Sequence, residues 1–157
     1  MISDRLATFS QEQAVTDSAF GVDKIDLANV VDVQDSRDIG DGVPLNMAFG
    51  VDESAAASGS ATVTFQVVSS DSPTLSDHVV LAQSGAIPKA DLVAGRSPIG
   101  VSIPQSYSLS EPFGKRYIGV RYVVASGPLT AGKFSAVLIA GSVPSSGRLY
   151  GGNFTAV

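Results

Sequence analysis

Cysteine and tryptophan are both missing from this chain, histidine occurs once, and charged side chains make up only 16% of its 157 residues. Without cysteine there is no disulfide, no thiol nucleophile and no thiolate metal ligand, a composition compatible with a reducing cytoplasm. The lone histidine, His78, confines acid–base chemistry further. A Ser-His-Asp triad would have to use it, yet the sequence holds no Gly-x-Ser-x-Gly elbow. It ends the polar connector Leu75-Ser-Asp-His78 and reads as an idle loop residue. Glycosidase chemistry needs two facing carboxyls. Beyond residue 78 the only acids are Asp91 and Glu111, and no tryptophan offers a sugar platform. The expectation is a protein that is not an enzyme and carries no cofactor.

Charge is scarce, since ordinary domains carry roughly 25%, while hydrophobic residues reach 44%. No membrane is expected to explain the apolar excess. The longest uncharged apolar run, Ala136 to Gly141, falls far short of the ~20 residues needed to span a bilayer. The opening Met-Ile-Ser-Asp-Arg lacks the basic-then-apolar pattern of a secretory signal, so synthesis and retention in the cytoplasm until assembly are expected. Asn153-Phe154-Thr155 then matches a glycosylation acceptor by accident.

The charges are unevenly spread along the chain. Residues 1–78 carry 13 Asp/Glu against 3 Lys/Arg, whereas residues 79–157 carry 2 against 7. Two arrangements fit this split: an acidic surface opposite a basic one, or strands from both halves interleaved in one sandwich. Asp32, Asp35, Asp38 and Asp41 recur every third residue, which is wrong for a calcium loop whose ligands alternate at every second position. Turn and strand-end capping suits them better. Lys115, Arg116 and Arg121 form too short a basic cluster to neutralise phosphates, so nucleic acid is not expected as a partner. Carboxylates of a protein partner are.

A chain of this length suits one domain, and its patterning is that of strands. Leu45, Met47, Phe49 and Val51 alternate, as do Ala61, Val63, Phe65 and Val67. Further strands are expected over 9–16, 22–27, 79–83, 99–103, 117–125 and 134–140, which makes about eight short strands separated by Gly, Pro, Ser and Asp. The 117–125 run is the most telling. Ile118, Val120, Tyr122 and Val124 share one face, while Tyr117, Gly119, Arg121 and Val123 share the other, so both faces touch something other than water. The expectation is that 117–125 and 134–140 are neighbouring strands, covered by the second sheet, a sister subunit or another protein. One turn of helix is expected over 89–93, and 52–60 reads as a flexible small-residue connection.

The fold class expected is therefore all-β: a single-domain jelly roll or β-sandwich of antiparallel strands. Its parts would be an N-terminal arm or first strand (1–18), the jelly-roll domain (19–141) and a C-terminal tail (142–157). The tail holds Arg148, Tyr150 and Phe154 without alternation of its own and is expected to lie across a neighbour. These three, with Lys115, Arg116, Tyr117 and Arg121, are the candidate partner-contacting residues.

Two segments, Tyr117-Ile-Gly-Val-Arg-Tyr122 followed by Ser126-Gly-Pro-Leu-Thr-Ala-Gly132, and Ser84-Gly-Ala-Ile-Pro-Lys-Ala-Asp-Leu-Val-Ala-Gly95, resemble the small capsid cement, or head decoration, proteins of tailed bacteriophages. Gln13-Ala-Val-Thr16 and Arg37-Asp-Ile-Gly-Asp-Gly42 match as well, and the pieces run in the family's order over most of residues 9–140. The longer region 25–33 and the tail after Val143 depart from that pattern.

The resemblance implies a jelly roll with a structural task on the outer surface of the virion. Copies would sit on a shell of major capsid protein and bridge neighbouring capsomers, held by many modest contacts rather than one strong site. A homo-oligomer is expected, with a dimer favoured and a trimer possible, and strand addition at an exposed sheet edge is one route to contact. The alternative is a carbohydrate- or receptor-binding β-sandwich of a virion fibre or adhesin, which would display aromatic rings beside amide and acid side chains.

Overall fold

A computed structural model describes residues 7–21, 25–26 (backbone only), 45–104 and 115–141. Among the described residues ten strands follow one another: β1 (Thr8–Ala14), β2 (Ala19–Phe20), β3 (Ile25–Asp26), β4 (Leu45–Ala56), β5 (Thr62–Ser70), β6 (Val79–Gln83), β7 (Ile87–Pro88), β8 (Ile99–Ser102), β9 (Tyr117–Ala125) and β10 (Ala131–Ala140). A 3-10 turn, Lys89–Asp91, starts right after Pro88. The first sheet runs β1-β10-β4-β8 and the second β2-β9-β5-β6, with β3 also on β9 and β7 also on β5. All pairings are antiparallel. Among the eight longer or sheet-forming strands the partners nest: β1 with β10, β2 with β9, β4 with β8, β5 with β6. That nesting is the jelly roll, a long folded ribbon wrapped into two facing sheets.

The period-two patterning places large apolar side chains between the sheets. Phe9, Met47, Phe49, Val63, Phe65, Val67, Val120, Tyr122 and Phe134 are fully buried there. The rings of Phe49 and Phe65 lie 5.1 Å apart, those of Phe65 and Phe134 5.3 Å, and Tyr122 stacks on Phe134 at 5.6 Å. Such offset and edge-on contacts suit the ring quadrupole. One polar pair is enclosed with them: the hydroxyls of Ser10 and Tyr122 are 2.5 Å apart. Ser10 faces inward although its neighbour Phe9 does too, because the register of β1 on β10 shifts between Thr8 and Ser10 and again between Ser10 and Gln13.

Two expectations about the chain's course are corrected. β9 and β10 are not neighbours in a sheet; they lie in opposite sheets. The turn begins at Ser126 and Gly127, both at positive φ (65° and 107°), which swings the chain out of the second sheet. Leu129 then drops into the core, its N–H donates to Thr16 O (2.8 Å), and Thr130 N–H donates to Ala56 O (2.7 Å) as the chain joins the first sheet. Secondly, 52–60 is not all connection, since β4 continues to Ala56. Its extension is held by Lys133–Glu53 (3.0 Å), by Ser135 Oγ donating to Asp52 (2.6 Å) and by Ala55 N–H donating to Leu92 O (2.9 Å).

The two halves of the chain interleave within both sheets, so among the described residues acids of the first half meet bases of the second. Lys115–Asp71 and Lys133–Glu53 each join an acid of the first half to a base of the second.

Candidate functional site

The outer face of the second sheet gathers the residues singled out on 115–121. Alternation in β9 turns Tyr117, Gly119 and Arg121 outward, opposite Ser70, Val68 and Gln66 of β5, while Phe20 of β2 flanks Arg121. The connector 71–78 between β5 and β6 folds back over this face and closes one end of it.

Leu75 is the plug. It is buried to 3% exposure in a small second core with Val68 and Tyr117, and Phe20 packs at its side. The gap it fills exists because residue 119 has no side chain: a Cβ there would lie 2.5 Å from Leu75 Cδ1. Leu75 itself sits at φ 59°, a left-handed conformation costing roughly 1–2 kcal/mol for an L-residue. Its burial offsets that, and its N–H donates to Ser72 O (3.0 Å).

Polar groups hold the loop at both ends. Ser70 Oγ donates to Asp77, and Ser72 N–H donates to Ser70 Oγ (2.9 Å). Lys115 reaches Asp71 at 2.9 Å and Asp77 at 3.8 Å. The bond from Ser70, aided by Lys115, holds the Asp77 carboxyl below the usual carboxylate range, while the bond to Asp71 pushes Lys115 up. Arg121 donates to His78 Nε2 (3.3 Å), which puts the imidazole proton on Nδ1, where it is donated to Leu75 O (2.9 Å). Phe20 meets the His78 ring edge-on at 5.2 Å, and the Arg121 guanidinium lies 5.6 Å from the Phe20 centroid.

His78 is therefore not idle: it links the loop to β9. At Tyr117 and Gly119 the second face of β9 is covered by the chain's own loop through Leu75. Lys115 likewise meets carboxylates of its own chain. Arg116 lies with its guanidinium 5.1 Å from the Tyr117 ring. Lys115, Arg116, Tyr117 and Arg121 are brought together on one face; Arg148, Tyr150 and Phe154 lie outside the described residues, as do Asp32, Asp35, Asp38 and Asp41. Leu75 and Phe20 did not stand out in the sequence. The one signal pointing to them is Gly119, since a glycine inside a strand marks a close approach.

Beyond the loop's cover the same face carries Arg121, Gln66 and Gln83 in one row, half-buried, buried and exposed in turn, with Gln66 Nε2 donating to Gln83 Oε1 (2.7 Å). Among the described residues no group of three or more His, Asp or Glu is placed to hold a metal ion. An open groove elsewhere is lined by Ile87, Ala90, Asp91, Val93, Arg96 and Ser97, with Arg96 donating to Asp91 O. No described helix is long and apolar enough to cross a membrane.

Fold and surface together define an all-β jelly-roll domain with a loop pinned across the outer face of its second sheet. A family model described as Bbp16 matches residues 9–138, and the chain belongs to that family. No curated protein matches it.

Proposed function

We propose that the protein is a structural component of a tailed-phage virion, decorating the outside of the head and cementing neighbouring capsomers of major capsid protein. The observation that carries this reading is where the head-decoration motifs fall in the fold. Ser84–Gly95 carries the chain from β6 of the second sheet to the approach of β8 in the first, and Tyr117–Gly132 comprises β9, the crossing at Ser126–Thr130 and the start of β10. Two of the resembling segments are thus the places where the ribbon changes sheets. A cement needs rigidity and contact area rather than chemistry, and the side-chain network on the second sheet supplies rigidity. Of the described aromatic rings, Phe9, Phe49, Phe65, Tyr122 and Phe134 are buried in the core, and the two on the outer face of the second sheet, Tyr117 and Phe20, pack with the loop residue Leu75.

In this reading the protein is made in the bacterial cytoplasm and joins the head as a homo-oligomer. The test is reconstitution: purified chain added to heads that lack it should bind at a fixed copy number and raise their survival of heat and low salt. Heads that neither bind it nor gain resistance would refute the proposal.

A further inference from the structure

The geometry points to His78 as a proton-operated latch: neutral, it ties loop 71–78 to β9, and one further proton on the imidazole releases the loop. This device goes beyond the structural task proposed above and does not depend on it. A guanidinium has N–H donors and no acceptor. The contact of Arg121 Nη1 with His78 Nε2 (3.3 Å) therefore exists only while Nε2 keeps its lone pair. The hydrogen on Nδ1 is already given to Leu75 O (2.9 Å). A second proton has Nε2 alone to go to, and there it sets donor against donor and cation against cation.

The described surroundings do not offset that clash. β9 turns the Arg121 cation to the imidazole, and β2 contributes the uncharged ring of Phe20, edge-on at 5.2 Å. On β5, Gln66 lies opposite Arg121 and is neutral, and β6, which His78 leads into, opens with Val79 and Val80. Within the loop, Asp77 adjoins His78 in sequence, yet its carboxylate is engaged by Ser70 Oγ and faces Lys115, which also holds Asp71 at 2.9 Å. Among the described residues no carboxylate forms an ion pair with His78.

The latch acts on a loop that is already strained. Leu75 sits at φ 59° over the notch at Gly119, and its carbonyl is the group that His78 Nδ1–H engages. Undocking relaxes that backbone, bares Val68 and Tyr117 of the second core, and frees the imidazole to be hydrated as a cation. The open loop therefore takes up the additional proton more readily than the docked one. Docking is strongest at the alkaline end and weakens as pH falls through the range in which imidazoles charge, roughly pH 8 to 5. No other side-chain type in the chain ordinarily changes charge in that window, since His78 is the one histidine and cysteine is absent.

The experiment follows amide exchange over 71–78 on the full-length chain between pH 7.5 and 5, corrected for the intrinsic rate at each pH. The imidazole Cε1–H resonance, unambiguous for a lone histidine, is titrated alongside. Loop protection should fall roughly tenfold, about the worth of one charge-assisted hydrogen bond, with the midpoint of the imidazole titration, while β10 stays protected. A dye that binds apolar surface should brighten over the same range. His78→Gln should flatten the profile. Arg121→Gln removes the cation but keeps an amide that can give N–H to a neutral imidazole or its oxygen to a protonated one, so the loop should stay docked at both ends of the range. Asp77→Asn should keep the step, because that carboxyl is held below the usual carboxylate range. Flat protection in the wild type, a midpoint that departs from the imidazole's, or a step that survives in His78→Gln overturns the proposal. Should both His78→Gln and Arg121→Gln undock at pH 7.5, the coincidence of the two wild-type midpoints decides.

Discussion

Leu75 occupies the space that a side chain on Gly119 would need, 2.5 Å from the Cβ position. Leu75 is nearly enclosed and pinned at positive φ, so it has little freedom to yield. Gly119→Ala should therefore destabilise the protein by about 1–3 kcal/mol, the usual cost of overpacking. Amide exchange should quicken over 71–78 while the first sheet keeps its protection. An unchanged melting temperature would show that the loop accommodates the methyl group.

The converse change empties the same seat. Leu75→Ala should cost about 2–3 kcal/mol, at the lower end for buried leucine because the second core is small. Exchange should rise at Tyr117 to Gly119, which Leu75 covers, and in no strand of the first sheet. Equal loss of protection in both sheets would mean that loop and sandwich unfold as one unit.

Ser10 and Tyr122 invite a double-mutant cycle. Ser10→Ala or Tyr122→Phe alone orphans a buried hydroxyl and should cost about 1–3 kcal/mol, whereas the double variant should cost less than the two singles summed. Burial raises the Tyr122 pKa above its ordinary value of 10.0. The unfolded chain therefore loses this proton first, and the associated stability, complete below about pH 10, falls as pH rises beyond it. Denaturant titrations of Tyr122→Phe should show a shallower alkaline decline; an identical decline would assign it to other groups.

Acid should loosen the loop from the other side. The Asp77 carboxyl is held below 3.8 in the fold by Ser70 first, with Lys115 contributing. Its contribution is present above that value and fades as pH falls below it. Exchange over 71–78 should accelerate below about pH 4, and Asp77→Asn should remove that acceleration. Loop protection that is flat down to pH 2.5 would contradict the role given to this carboxylate.

Most of the fold was legible because strands reveal themselves by alternation. Val79–Gln83 and Tyr117–Ala125 run where their period-two patterns place them. What the pattern leaves open is which sheet a strand joins. Ser126-Gly-Pro reads equally as a hairpin turn or as a crossing, and the choice is made by Leu129 finding the core and by Thr16 and Ala56 supplying acceptors more than 70 residues away. The surface was less legible. Lys115, Tyr117 and Arg121 did lie together, yet a carboxylate on the same chain looks in sequence like one on a partner. Leu75, one apolar residue among serines and threonines, has no period to announce it. Only the missing side chain at Gly119 hinted at its seat.

The nested pairing also governs when the protein can form. β9 and β10, the last two described strands, are interior strands of the two sheets: β9 lies between β2 and β5, and β10 between β1 and β4. During synthesis the early strands β1, β2 and β4 therefore emerge without the neighbours that will hold them; the second sheet cannot close until Ala125 has left the ribosome, and the first until Ala140 has. Since ordering depends on such distant contacts, folding should be slow for the chain's size and begin only after translation is nearly complete. A chain cut short anywhere before β10 would expose β4 along most of its length, so any failure of translation yields a sticky fragment rather than a smaller stable domain.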